Sequence, residues 1–330
     1  MAAATPDLLQ DLQILKDAND AAPTLLGKFE ALPVGQPQPE VDLAISFSNI
    51  SAKDIQALGP FNEWSIPPGC FLGTQPHYAT NIMHDILQSQ PEAILRQAIR
   101  DSLQKEKDHS LTYNKSEMTR RTAVDTILSA AVSLAETQWD FAVLNAEEHN
   151  FSTVPNKGVT FYKPDTNKTY LLSGPIDYIV TGLNSKVIAQ NLANVRQPTV
   201  ALTLAQVKTA IQGTNNTVCP IEAKADITGT MKAATFRQVV GESLVVGQAR
   251  YGDLGTPLPF ILSDGVNWRF GIRSKDRIFS TTLVWGDNDK DILRALVIWS
   301  CSQGQKIWDV MVDSLHISEA IYTNQQVGVE

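Results

Sequence analysis

Apolar and polar positions along this chain change their period twice. After a polar stretch at 105–118, Ala123, Ile127, Ala130, Ala131 and Leu134 recur at intervals of three and four. That is the spacing of one helix face, and it predicts an amphipathic helix with Asn114 or Ser116 as its cap. From about residue 140 the period falls to two. FAVLNAEEH, VTFYKP, TYLLSGPIDYIVTG, TVCPIEAKAD, PLPFILSD and NWRFGIRS read as strands, with turns at Pro164 to Lys168 and at Asp264-Gly265. Helical spacing returns at 202–213, at 228–252 and in the last fifty residues, where DKDILRALVIWSCSQ follows the polar GDND. Helix, strands, helix, strands is the order of an α/β domain, a mixed sheet with helices against its faces.

The first 110 residues differ. TPDLLQDLQILKDA and PEAILRQAIRDSLQKEK carry short helical patterns, the second through Ile94, Leu95, Ala98, Ile99 and Leu103, and a proline-rich connector lies at 32–41. The division predicted is a mostly helical N-terminal module over 1–110 and an α/β core with C-terminal helices over 111–330.

Composition narrows the class. A 330-residue chain with 43% hydrophobic residues is that of a soluble globular protein. No run approaches the roughly eighteen apolar residues a membrane helix needs. The opening MAAATPDLLQDLQ lacks the basic start and apolar core of a signal peptide, so an intracellular protein of cytoplasm or nucleus is expected, without a membrane partner. Cys70, Cys219 and Cys301 are odd in number and far apart, which predicts buried thiols rather than disulfides or a zinc site.

A net charge of −8 argues against nucleic-acid partners until its distribution is seen. Residues 1–110 hold 14 acidic and 7 basic side chains, and 111–330 hold 21 and 20, so the larger part is nearly neutral. Within it WRFGIRSKDRIFS gathers Arg269, Arg273, Lys275 and Arg277 against Asp276, either as a basic patch for phosphate or as a solvated strand edge.

Two strands carry charge where apolar residues belong. In SGPIDYIV, Asp177 follows the turn at Gly174-Pro175; in VCPIEAKAD, Glu222 and Lys224 lie two apart and so share a face. If the two strands are neighbours, the carboxylates of Asp177 and Glu222 converge, and a hard divalent cation between them relieves their repulsion. Its ligands would be Asp177, Glu222 and the carbonyl of Ala223, with Lys224 beside them to stabilise charge on a phosphate. The plainer alternatives are an ion pair of Glu222 with Lys224 on a solvated face, and Asp177 as a turn residue.

An aspartate at a strand bend followed by a strand bearing Glu-x-Lys resembles the PD-(D/E)XK nuclease superfamily, over roughly residues 113–280. Here the first element is Pro175-Ile176-Asp177, one residue looser than the motif's name, and the second is Glu222-Ala223-Lys224. The resemblance implies a restriction-endonuclease-like fold whose core runs helix, three strands, helix, strand. NKSEMTRRTAVDTIL would be its first helix, bearing an acidic site residue, Glu117 or else Asp125, with Arg120 and Arg121 toward phosphate. Gln238, followed one turn on by Glu242, would face the site from the next helix. PFILSDGVNWRFGI is similar to the strand-turn-strand that ends the core in fungal and Crinkler-like members. The 45 positions between Asp177 and Glu222 exceed the family's usual spacing and require an insertion to be looped out.

The function so implied is a metal-dependent nuclease that uses Mg²⁺ or Mn²⁺ and cleaves DNA ahead of RNA, as a single chain or a homo-oligomer. The alternative is the same fold without catalysis, as a binding, effector or toxin-like protein. Other chemistries fail on spacing. Asp287, Asp289 and Asp291 mimic a calcium loop, but Ile292 and Ile298 stand where its glycine and glutamate belong, and neither a Walker loop nor a nucleophile elbow occurs.

Overall fold

The computed structural model describes residues 41–58, 62–71, 117–139, 142–149, 158–163, 167–183, 218–228, 232–251, 255–275 and 277–327. Two mixed sheets and several helices make up an α/β architecture. The larger sheet contains β2 (Asn62–Ser65), β3 (Ala142–His149), β6 (Ile176–Leu183), β7 (Cys219–Ala223), β8 (Leu258–Ser263), β9 (Asn267–Ser274) and β10 (Arg277–Val284), in the order β2-β10-β9-β8-β7-β6-β3. The smaller is β1 (Leu43–Ser46), β5 (Lys168–Ser173) and β4 (Val159–Lys163), in the order β1-β5-β4. The helices are α1 (Ala52–Leu58), α2 (Glu117–Trp139), α3 (Lys232–Tyr251), α4 (Asp289–Cys301) and α5 (Gly304–Val327).

Period-two alternation decides which layer each strand residue joins. Tyr178, Val180, Cys219, Ile221, Ala223 and Ile261 point to one face and pack with apolar residues of α2, α4 and α5. Ile179, Val218, Phe260 and Leu262 point to the other, where they meet α3 and the small sheet through Phe161, Leu172, Val240 and Leu244. α3 therefore lies between two sheets, and residues 239–247 are buried on every side of the helix. Any polar group on that stretch is taken out of water. β7 and β8 run parallel with α3 as their crossover, while β6 is antiparallel to β7. Gly174, at φ 143°, makes the step by which the chain leaves β5 in the small sheet and enters β6 in the large one.

The two predicted hairpins form, β4 with β5 and β8 with β9. In the second, Asp264 Oδ1 accepts the backbone N–H groups of Val266 (3.0 Å) and Asn267 (2.7 Å), so the carboxylate builds the turn. The helix at 117–139 and that at 232–251 stand where the periodicity put them, and Asp289 and Asp291 occupy the first turn of α4. The three cysteines are buried free thiols.

In the N-terminal third, the two helical patterns at 5–18 and 91–107 lie outside the described residues, as does the predicted helix at 202–213. Within 41–71, β1 adds to the small sheet beside β5 and β2 extends the large sheet beside β10, both in parallel. Phe71 stacks on Phe270 at 6.1 Å and meets Trp299 at 5.8 Å. This described part therefore contributes strands to both sheets and an aromatic contact to the core. β10 is a further strand that the sequence reading passed over.

No helix among the described residues is long and apolar enough to cross a membrane.

Candidate functional site

The strands carrying Asp177 and Glu222 are neighbours. β6 and β7 pair antiparallel with Tyr178 opposite Ile221, Ile179 opposite Pro220 and Val180 opposite Cys219. Continuing that ladder by one step sets Asp177 opposite Glu222. Facing residues of such a pair share a sheet face with Cβ atoms roughly 5 Å apart.

Backbone and side chains lock the arrangement. The N–H of Ala223 donates to Asp177 Oδ2 at 2.9 Å, so the residue between Glu222 and Lys224 is tied to the aspartate. Arg121, early in α2, pairs with Asp177 Oδ1. Lys224 Nζ pairs with Glu222 Oε1, and the lysine's own N–H continues the ladder toward β8 by donating to Ser263 O at 2.9 Å. Gln238 Nε2, on α3, donates to Glu222 Oε1 at 2.6 Å and to Glu242 Oε1 at 3.1 Å. Gln238 and Glu242 are one turn apart, which puts them on one helical face.

Burial sorts the charges by depth. Glu222 is 1% exposed, Glu242 0% and Asp177 8%. The side chains of Lys224 and Arg121 are 24% and 33% exposed, so the cations stand nearer the water. Burial pushes the Glu222 carboxyl up to about 7, with the Asp177 charge adding to the rise and Lys224 opposing it. Burial, then the nearby Glu222 charge, pushes the Glu242 carboxyl well above its ordinary value. Oε2 of Glu222 and Oε2 of Glu242 are buried without a hydrogen-bond partner among the described residues. Arg121 and Lys224 are the cations paired with Asp177 and Glu222.

The remaining candidates fall in several places. Glu117 is the first residue of α2, and its side chain lies outside the described residues; Arg120 is half-buried. Asp125 accepts a hydrogen bond from Tyr178, whose hydroxyl is held far above its ordinary value first by burial and then by that bond. Tyr178 alternates with Asp177 along β6 and belongs to the α2 face of the sheet, and Asp125 lies one turn along α2 from the Arg121 that pairs with Asp177.

The basic patch is a correction. Arg269 and Arg273 are buried within β9, and Lys275 and Arg277 are exposed. Arg269 pairs with Glu63 of β2, donates to Ser280 Oγ at 3.3 Å and lies 3.8 Å from the centre of the Phe236 ring. Arg273 Nη1 donates to the carbonyl of Lys275 at 3.5 Å. In an alternating strand these arginines point inward with their partners, so the stretch offers no row of four cations to a phosphate backbone.

Sequence reasoning missed two ion pairs, Arg121 with Asp177 and Arg269 with Glu63, whose members lie 56 and 206 positions apart. No local signal reports such pairings. Glu242 was read with Gln238, as the acid one turn beyond it on the same helix face, and the two are hydrogen-bonded.

Among the described residues no group of three or more His, Cys, Asp or Glu side chains is arranged to hold a metal ion. The donor chemistry still fits a hard cation: the inward groups are carboxylate oxygens, and Glu222 Oε2 is a buried acceptor with no protein donor. Against protein-family models and against curated protein sequences the chain finds no match.

Proposed function

We propose that the protein is a metal-dependent nuclease with a restriction-endonuclease-like core, acting on the phosphodiester bonds of DNA ahead of RNA. The observation that carries this is the pairing of Asp177 opposite Glu222 across β6 and β7, with Lys224 on the glutamate's own carboxylate. Supporting it, α2, β3, β6, β7, α3 and β8 follow one another as helix, three strands, helix, strand once β4 and β5 are set aside in the small sheet, and β3, β6, β7 and β8 are adjacent in the large one.

Asp177, Glu222 and the carbonyl of Ala223 would hold Mg²⁺ or Mn²⁺. When bound, such an ion lowers the pKa of a water and draws charge from the phosphate. The chain's own groups do the rest. Gln238 fixes the rotamer of Glu222 from α3. Lys224 sets a positive charge beside Glu222, where negative charge would build on the phosphate oxygens during in-line attack. Its backbone is held by the β8 ladder, and its ammonium is placed by the pairing with Glu222.

A second reading has its own observation. Arg121 and Lys224 already neutralise Asp177 and Glu222, and both oxygens of Asp177 are engaged. A protein that keeps this fold only to bind a partner, as an effector or toxin-like molecule, would show the same balance.

Incubation of the protein with supercoiled plasmid and with RNA, with Mg²⁺ or Mn²⁺ and with EDTA, separates the two. The nuclease reading predicts cleavage that EDTA abolishes and that Glu222→Ala and Lys224→Ala lose. Cleavage surviving both substitutions removes the assignment, and a complete absence of cleavage favours the binding protein.

A further inference from the structure

Resting on the metal-site reading above, one side chain in the cluster remains without a role: Arg121. Its guanidinium sits on Asp177 Oδ1, while Oδ2 of the same carboxylate accepts the Ala223 N–H. A hard cation binds a carboxylate oxygen at roughly 2.1 to 2.4 Å. A guanidinium in contact with that oxygen and a divalent ion beside it are like charges at close range and repel strongly. We infer that Arg121 is a latch on Asp177, a positioning residue that must let go before the carboxylate can serve a divalent cation, and that it therefore sets the affinity of the site for the ion.

The two partners differ in freedom, and that decides which one moves. Asp177 is buried, tied to the backbone of β7 and carried on a strand with neighbours on both sides. Arg121 is carried on α2, with a third of its side chain exposed. A long flexible stem lets its head swing toward water while Asp177 keeps its place.

The latch is insensitive to pH because arginine stays charged throughout the working range. Only a competing charge releases it: a cation arriving at Asp177, or a phosphate anion drawing the guanidinium outward. By linkage each then assists the other's binding, so the site would fill with ion and phosphodiester together.

Calorimetric titration with Mn²⁺ tests this on the full chain, comparing the parent with Arg121→Met, Arg121→Lys and Glu222→Gln. Removing the latch charge in Arg121→Met is expected to tighten Mn²⁺ binding by roughly fivefold, the factor that matches a partly exposed ion pair of about 1 kcal/mol. Arg121→Lys keeps the charge and should stay within about twofold of the parent. Glu222→Gln should abolish uptake. Arg121→Gln, neutral and polar, carries the test if the methionine variant does not fold. Mn²⁺ affinity unchanged or weakened in the neutral variants, with the parent binding, overturns the latch and leaves the metal-site reading standing. Mn²⁺ taken up by no protein in the set overturns both.

Discussion

Glu222→Gln should make the protein more stable at alkaline pH while removing its proposed activity. The glutamate is almost fully buried, and its carboxyl is pushed from 4.5 up to about 7, by burial first and by Asp177 second, with Lys224 pulling the other way. Between those two values the folded chain holds a proton that the unfolded chain has released. Stability from this group is therefore complete below about pH 4.5 and is lost as pH rises through about 7. At 1.36 kcal/mol per pH unit, the full difference is about 3 kcal/mol. Glutamine is neutral at every pH, keeps an acceptor for Gln238, and leaves Lys224 close enough to the surface to reach water. Urea unfolding of parent and variant at pH 4.5 and pH 8 reads the effect directly. Taking the difference between the two proteins removes the carboxyls remote from Glu222, and what it reads is Glu222 together with its coupling to Glu242. The variant should gain about 3 kcal/mol at pH 8 and lie within about half a kcal/mol of the parent at pH 4.5. Equal destabilisation at both pH values would refute the reasoning, because it would mean that Glu222 enters the folded state as a favourable charge.

Other consequences are as sharp. Glu63→Ala strands the buried Arg269 and should destabilise by about 3 kcal/mol in denaturant unfolding, whereas Arg269→Met frees a glutamate that is already 34% exposed and should have a clearly smaller effect; equal losses would contradict the buried-cation account. Gly271→Ala builds a Cβ 2.1 Å from Cζ of the fully buried Phe260 and should lower stability by about 2 kcal/mol, with Phe260→Leu in the same chain recovering part of the loss. Lys224→Met should reduce plasmid cleavage by about a hundredfold or more with the fold intact by circular dichroism, since it removes the cation paired with Glu222.

Local periodicity was enough for β3 through β9, because the alternation is written in the residues themselves, and β7 and β8 are buried on both faces. Ile221 and Ala223 against Glu222 is the plainest case, and the odd member of that strand is the buried acid of the candidate site. β1 and β2 are four residues each, too short for a period to register. β10 was hidden by Arg277 at its first position, which drew the eye to charge when Ile278, Phe279 and Leu283 were the informative residues. Charge was also what misled at Arg269 and Arg273. A sequence displays a cation but not its depth, and depth here is set by Glu63 and Phe236 arriving from distant elements. The convergence of Asp177 and Glu222 could be stated only conditionally from sequence, since register depends on whether the 45 intervening positions return the chain to the adjacent slot.

The central claim is that Asp177 and Glu222 share one divalent ion. Crystals grown with Mn²⁺ and measured at its absorption edge locate that ion without relying on activity. The account predicts a single anomalous peak between the two carboxylates, within roughly 2.0 to 2.4 Å of an oxygen from each. A map with no peak there, and with Arg121 still seated on Asp177 at saturating Mn²⁺, would contradict it.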